Sequence, residues 1–423
     1  MRTPGQAMFA QVRSIRRICG AKGREMTDKT DDVGPPQLSL SALFLKFLGF
    51  GLLAFGGPVA QIAMLRKALV DQERWIAPGR FNRLLAVLQI LPGPEAHELC
   101  VHLGMVARGR AGGILAGLGF MLPGLLLMLA AGAAYTRWIE GNVGLAGLLL
   151  GVQIVVLAII LRAVVRIGQH VIEDRLLLCI ALVGLASPLL GVPFYVPLVS
   201  GGLAYAFAQR PALTIAILLT PVIVAVALLP LGESDPIRPQ SVAHASVTLP
   251  MLFVAGLKGG LLTFGGAYTA IPYVRADTVG RGWISDGAFL DGIALAGVLP
   301  APLVIFATFT GYIVGGPLGA LVITLGMFLP AFAFSLIFFE RLEAVVANPA
   351  LHHLLTGVAA AVVGVIAATF IQLAQATAMR VDHVWAAAAL AGIALILAWR
   401  AKGAWVTPAS VAGGALAGWL FPF

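Results

Sequence analysis

Four side chains able to carry protons or meet ions follow directly on a proline–glycine–proline break: after Leu91-Pro92-Gly93-Pro94 come Glu95, His97, Glu98 and His102. On a helix beginning there, Glu95 and Glu98 share a face, and so do Glu98 and His102. Ionised, two carboxylates repel an anion; buried, such groups take up protons, and can then donate hydrogen bonds or carry coupling protons. The same pair also suits an ordinary helix start, where acidic groups stabilise the dipole. A second break, Phe55-Gly56-Gly57-Pro58, lies upstream and is followed by Gln61. Breaks free backbone amides, and Pro58 and Pro94 fit the first turn of a following helix because that position needs no donor. Bare amides at a helix N-terminus attract negative charge. Anion binding is therefore the chemistry on offer, with Gln89 just before the Leu91-Pro92-Gly93-Pro94 break. Lys46 and Lys258 stand inside apolar runs. They would add attraction for an anion, although Lys46 can equally snorkel to an interface.

Other chemistries are excluded or left without residues. His97 and His102 are five residues apart, not four, which turns the second imidazole off the first one's face, so no metal site is expected. The Gly-Lys-Ser/Thr phosphate loop is absent, which argues against ATP-driven work by this chain, and no cofactor is implied. His170, His352 and His353 fall in expected loops and read as solvated. Cys19, Cys100 and Cys179 are too few and too scattered for a disulfide framework.

The elements that must position these residues belong in lipid. Of 423 residues, 59% are hydrophobic and only 11% charged, with mean hydropathy +0.95; soluble domains carry about 25% charge. The net charge of +9 is spread through short segments between apolar runs. That is how loops on one membrane face look, and no nucleic-acid partner is expected. The runs predict an all-α polytopic protein with about 10–13 membrane segments, at about 41–63, 84–106, 113–136, 144–161, 176–191, 194–208, 211–231, 250–272, 288–312, 316–339, 352–377, 384–399 and 404–421. Residues 1–37 read as a disordered basic cytoplasmic tail, in which Met26 is an alternative start. Residues 38–231 and 249–423 read as two repeats, joined by a polar linker at 232–248.

The repeat is explicit. Leu52-Leu53-Ala54-Phe55-Gly56-Gly57 returns as Leu261-Leu262-Thr263-Phe264-Gly265-Gly266, and Leu91-Pro92-Gly93-Pro94 as Leu299-Pro300-Ala301-Pro302. Arg74-Trp75-Ile76 matches Gly282-Trp283-Ile284, Leu103-Gly104 matches Thr310-Gly311, and Gly119 to Pro123 matches Gly326 to Pro330, at offsets drifting only from 209 to 207. Loop 64–83 carries five basic residues against two acidic, whereas loop 273–287 balances Arg275 and Arg281 against Asp277 and Asp286. By the positive-inside rule the first is cytoplasmic and the second is not, which predicts inverted-topology repeats. A basic tail and a basic loop flanking 41–63 imply that this segment enters and leaves on one side. Re-entrant hairpins and broken spanning helices both fit. The duplicated breaks read either as a substrate site near the bilayer midplane, offering four helix N-termini to a tetrahedral dianion, or as kinks for close packing.

These motifs resemble the chromate ion transporter family in its long, two-domain form, over about residues 38–423. The likeness rests on Phe55 to Ala60, Trp75, Gln89 with Leu91 to Pro94, Gly104, and Phe120 with Pro123. In the second half it rests on Phe264 to Gly266, Trp283, Asp291, Pro300 with Pro302, Phe309 with Gly311, and Leu329-Pro330. The resemblance implies a multi-pass inner-membrane protein, not an enzyme, that exports chromate, with sulfate a plausible competitor. Homodimerisation is compatible with it. Three departures sit at the breaks: Ala301 where Gly is usual, Gln61 where His is common, and Glu95-Ala96-His97-Glu98 in place of a hydroxyl- and amide-rich stretch. They bear on which anion is carried. The rival readings are a cation-coupled symporter of an organic or other inorganic solute, and a membrane enzyme built on Glu95, His97 and Glu98.

Overall fold

The computed structural model describes residues 34–88, 91–228, 247–264, 266–337, 349–401 and 405–421, and these contain helices and no strand. The tail 1–33, most of the linker, Gln89 and Gly265 lie outside the described residues. Five helices are long and apolar enough to cross a membrane, and five shorter ones are apolar over 10–17 residues. The chain is an all-α, multi-pass membrane protein.

Helix α1 (Leu40–Leu52), capped by Ser39, breaks off at 53–56 and is followed by α2 (Gly57–Arg66), which runs on through a wider turn at Lys67–Gln72. Lys46 of α1 meets Glu73 just beyond that turn, at 2.5 Å. The chain has therefore gone in and come back. The apolar stretch 41–63 is a hairpin, not a span. Helix α3 (Pro78–Leu88) and the first arm of α4 (Glu95–Ala134) make a second hairpin, with the break at 91–94 ahead of α4. Arg80 lies within electrostatic reach of His102, so the two arms run side by side. Helix α4 then doubles back at Arg108 and Gly109, where Gly109 has φ 61°. Its second arm folds so closely on the first that a Cβ at Gly104 would sit 2.5 Å from the Ala116 methyl.

After α4 come α5 (Ala146–Val171), α6 (Arg175–Leu189), α7 (Tyr195–Ala206) and α8 (Pro211–Leu228). The second half repeats the plan. Helix α9 (Leu249–Leu261) breaks off at 262–264 and is followed by α10 (Ile271–Thr278); Lys258 reaches Asp277 across this hairpin at 3.0 Å. Helix α11 (Asp286–Val298) leads to the break at 299–302 and to α12 (Phe306–Ile337), which reverses at Gly315 and Gly316 with torsions close to those at 108 and 109. Helices α13 (Pro349–Ala378), α14 (Val384–Arg400) and α15 (Val406–Leu420) complete the chain.

Glycine contacts give the directions. In the first half Gly119 abuts Phe44 and Leu48, and Gly51 abuts Phe120, so α1 runs parallel to the second arm of α4; Gly256 on Ile323 and Gly260 on Met327 repeat this for α9 and α12. Between the halves the order reverses. Gly113 faces Leu336, Gly117 faces Phe332, and Gly132 faces Tyr312. The equivalent long helices are antiparallel. The terminal helix pairs are exchanged: α6 and α7 pack on α13 through Gly184, Gly201, Gly357 and Gly364, while α15 packs on α5 through Gly151, Gly414 and Gly418. With little hydrophobic drive between helices in lipid, such close backbone approaches hold them together by van der Waals contact. Helix α8 has no counterpart among the described residues of the second half. Its most apolar window has mean hydropathy 2.4 and is only 11% buried, as expected of a surface facing lipid tails.

Candidate functional site

The breaks converge. The Gly93 amide donates to the Thr263 carbonyl at 2.9 Å, joining the second hairpin of the first half to the first hairpin of the second. At the opposite crossing, Gln61 Nε2 donates to the carbonyls of Ala54 (2.9 Å) and Ala301 (2.8 Å). Thr263 corresponds to Ala54 and Gly93 to Ala301, so a single contact is made twice: once through backbone alone and once through a side chain. Gln61 is 1% exposed, and its Oε1 has no hydrogen-bond partner. Tip packing follows the same symmetry, with Gly124 against Ala301 and Gly93 against Ala331.

Not every break offers bare donors. The Gly93 amide is taken by Thr263, and the Phe264 amide bonds Thr269 Oγ1 at 3.1 Å. The tips are closed on one another. The open ground lies beside Gly57 (φ 79°) and Gly266 (φ 129°), at equivalent positions, where an added Cβ would meet nothing within 4 Å. Gly56, also left-handed at φ 84°, starts α2 with no side-chain cap, and Pro58 stands in that first turn. Phe55, Gly56, Gly57 and Pro58 are half-buried, with Phe55 stacked on Trp405 at 5.9 Å. Pro92, Gly93, Pro94, Pro300 and Pro302 are buried in the tips, and Gly266 is half-buried.

The polar quartet stays with the first tip. Glu95 is 7% exposed, His97 and Glu98 are 0% and His102 is 7%. His97 packs edge-on against Phe328 (4.9 Å) and Phe332 (4.8 Å) of the other half. Neither Glu98 oxygen has a hydrogen-bond partner. The two lysines are elsewhere. Lys46 is held by Glu73 with Trp75 beneath it at 5.4 Å, and Lys258 by Asp277, so both tie hairpin arms together instead of reaching the breaks.

Two groups were not placed at the site by the sequence reading, although Asp291 was among the residues that carry the family resemblance. Arg162 and Arg166, one turn apart on α5, lie within electrostatic reach of Tyr268, two residues past Gly266. They bring positive charge towards the second-half break that Lys258 does not. Their i, i+4 spacing was visible, but the expected segment stopped at 161. The other is buried Asp291, which accepts from Tyr135 Oη (2.9 Å) and Gln153 Nε2 (2.8 Å), with Arg380 donating to Gln153 Oε1. This network pins α11 to α4 and α5. Among the described residues no group of three or more His, Cys, Asp and Glu side chains is placed to hold a metal ion.

The chain matches the family model described as chromate transporter over residues 41–231 and again over 251–419. It is 55% identical to the chromate transport protein of Pseudomonas aeruginosa over 401 residues, covering 94% of this chain and 96% of that one. It is 30% identical to the chromate transport protein of Cupriavidus metallidurans, covering 90% and 93%. An uncharacterized transporter of Methanocaldococcus jannaschii is 28% identical, covering 78% and 84%. No solved structure matches the chain. Two matches of one model along the chain, together with a relative of this identity over nearly its whole length, place it plainly: this protein belongs to the chromate transporter family.

Proposed function

We propose that the protein exports chromate, and oxyanions of the same shape such as sulfate, from the cytoplasm across the inner membrane by alternating access. The two halves are inverted-topology repeats, and one rocks against the other about the crossed tips. The observation that carries this reading is the meeting of breaks from opposite halves at Gly93–Thr263 and at Gln61 with Ala54 and Ala301. The closed tips are the occluded state. Parting one crossing bares amides and joins them to the open ground beside Gly57 or Gly266, under the field of Arg162 and Arg166. Loop 64–83 is cytoplasmic by its charge. Five passes, from the second arm of α4 to α8, then carry the chain to the opposite side before the second copy starts.

The energetics suit efflux. One charge moving through 100 mV is worth about 2.3 kcal/mol, so a dianion leaving a negative interior gains about 4.6 kcal/mol without ATP. Radiolabelled chromate and sulfate flux in inverted vesicles, with and without an imposed potential, tests the reading. Accumulation that rises with an interior-positive potential is expected. Flux that depends on sodium and ignores the potential would establish the symporter instead.

A further inference from the structure

We propose that Glu98 is a proton-binding site kept dry by a notch at Gly93, and that its protonation is linked to anion binding at the breaks. The second half of this statement rests on the transport reading above; the first does not.

The geometry is specific. Gly93 has φ 147°, and a Cβ built on it would lie 2.5 Å from Glu98 Oε1 and 2.9 Å from its carboxyl carbon. The carboxyl fills the space that glycine leaves. It is fully buried, and neither oxygen meets a donor. An ionised carboxylate in such a place has neither water nor partner to offset its lost solvation, so the group sits there as the neutral acid. The groups around it do not favour charge. Glu95, His97 and His102 share its helix, and Glu95 acts on it as a like charge. Arg80 of α3 reaches His102. From the other half the first tip meets Phe328, Phe332, Ala331 and the Thr263 carbonyl, none of which titrates.

The notch is also a joint. Gly93 donates to Thr263 of the opposite half, and its Cβ direction points on to the Ala331 methyl at 3.3 Å. A carboxyl that ionises must leave the notch for water. The second tip has no such device. Ala301 puts a methyl where Gly93 leaves space, and Phe306 stands in the place of Glu98, so each chain carries one site. A dianion arriving at the breaks meets less repulsion when Glu98 is neutral. Anion and proton therefore favour each other's binding, by linkage. Anion affinity should fall as pH rises through the titration of Glu98, by about tenfold per pH unit for one proton.

The test uses the purified full chain in lipid. Infrared spectra should show a protonated-carboxyl band that is lost in Glu98→Gln, an isosteric and neutral change, and displaced in Gly93→Ala. Both anions should bind; the binding of sulfate, which stays a dianion throughout, should weaken with rising pH in the wild type, with about one proton taken up per anion, and be flat with pH in Glu98→Gln. A band that survives Glu98→Gln overturns the proton site. A pH slope that is the same in wild type and Glu98→Gln overturns the linkage. If the wild type binds neither anion, the transport reading and the linkage fall together, while the band still decides the proton site.

Discussion

The tips at 91–98 and 299–306 occupy equivalent places in the two halves, make equivalent contacts, and are chemically unlike. After its two prolines the first carries Glu95, His97 and Glu98; the second carries Leu303, Ile305 and Phe306. The first-half crossing partner supplies Gln61 as a bridge, and the matching position in the second half is Ala270. Buried Asp291 corresponds to exposed Arg83. Duplication has kept the backbone twice and the reactive side chains once. Under the proposed alternating-access cycle, geometry that serves both faces of a membrane is under a symmetric demand, whereas a proton site is needed only once.

The largest effect should come from the shared geometry. Gly57→Leu or Gly266→Leu forces a bulky L-residue into a left-handed backbone and fills the open ground, so each alone should abolish flux while membrane insertion, read by expression and protease protection, persists. Normal flux in either variant would break the claim that both halves contribute equally. The crossings sharpen the contrast. Gln61→Ala leaves two buried carbonyls without their donor, a penalty of about 1–3 kcal/mol each, and should alter flux about tenfold; a cysteine pair at 54 and 301 would then report whether that crossing parts more often than 93–263. Smaller still, Arg162→Gln with Arg166→Gln should raise the half-saturating chromate concentration several-fold and leave maximal flux nearly unchanged. Least of all, Lys46→Ala should cost about 0–1 kcal/mol of stability in thermal unfolding, because its pair with Glu73 is part-exposed. If Lys46→Ala instead costs chromate affinity, the lysine does reach the anion.

Much of this was legible in the residues. Low charge and long apolar runs gave the membrane class, and motif offsets gave the repeat. The same-side flanks of 41–63 pointed towards hairpins, though only the Lys46–Glu73 contact chooses them over a broken span. What escaped was tertiary. The reversal at Arg108–Gly109 falls in the gap between the expected segments 84–106 and 113–136; the residues did not show how closely the two arms then pack, Gly104 against Ala116. The lysines read as anion attractors because sequence places them on a helix but does not say which carboxylate returns beside them. Gly93 read as a donor; its amide is occupied because the partner carbonyl, at Thr263, lies 170 residues away.

Helix α8 gains meaning from having no twin among the described residues of the second half. In the topology proposed above, it makes the number of passes between copies odd, so the second begins facing the opposite way. Remove it together with the linker and the count turns even: both modules would insert in the same sense, their tips would rise from one leaflet, and no crossing could form. A helix whose surface is mostly unburied thus sets, in the proposed topology, the parity on which mutual closure of the halves depends.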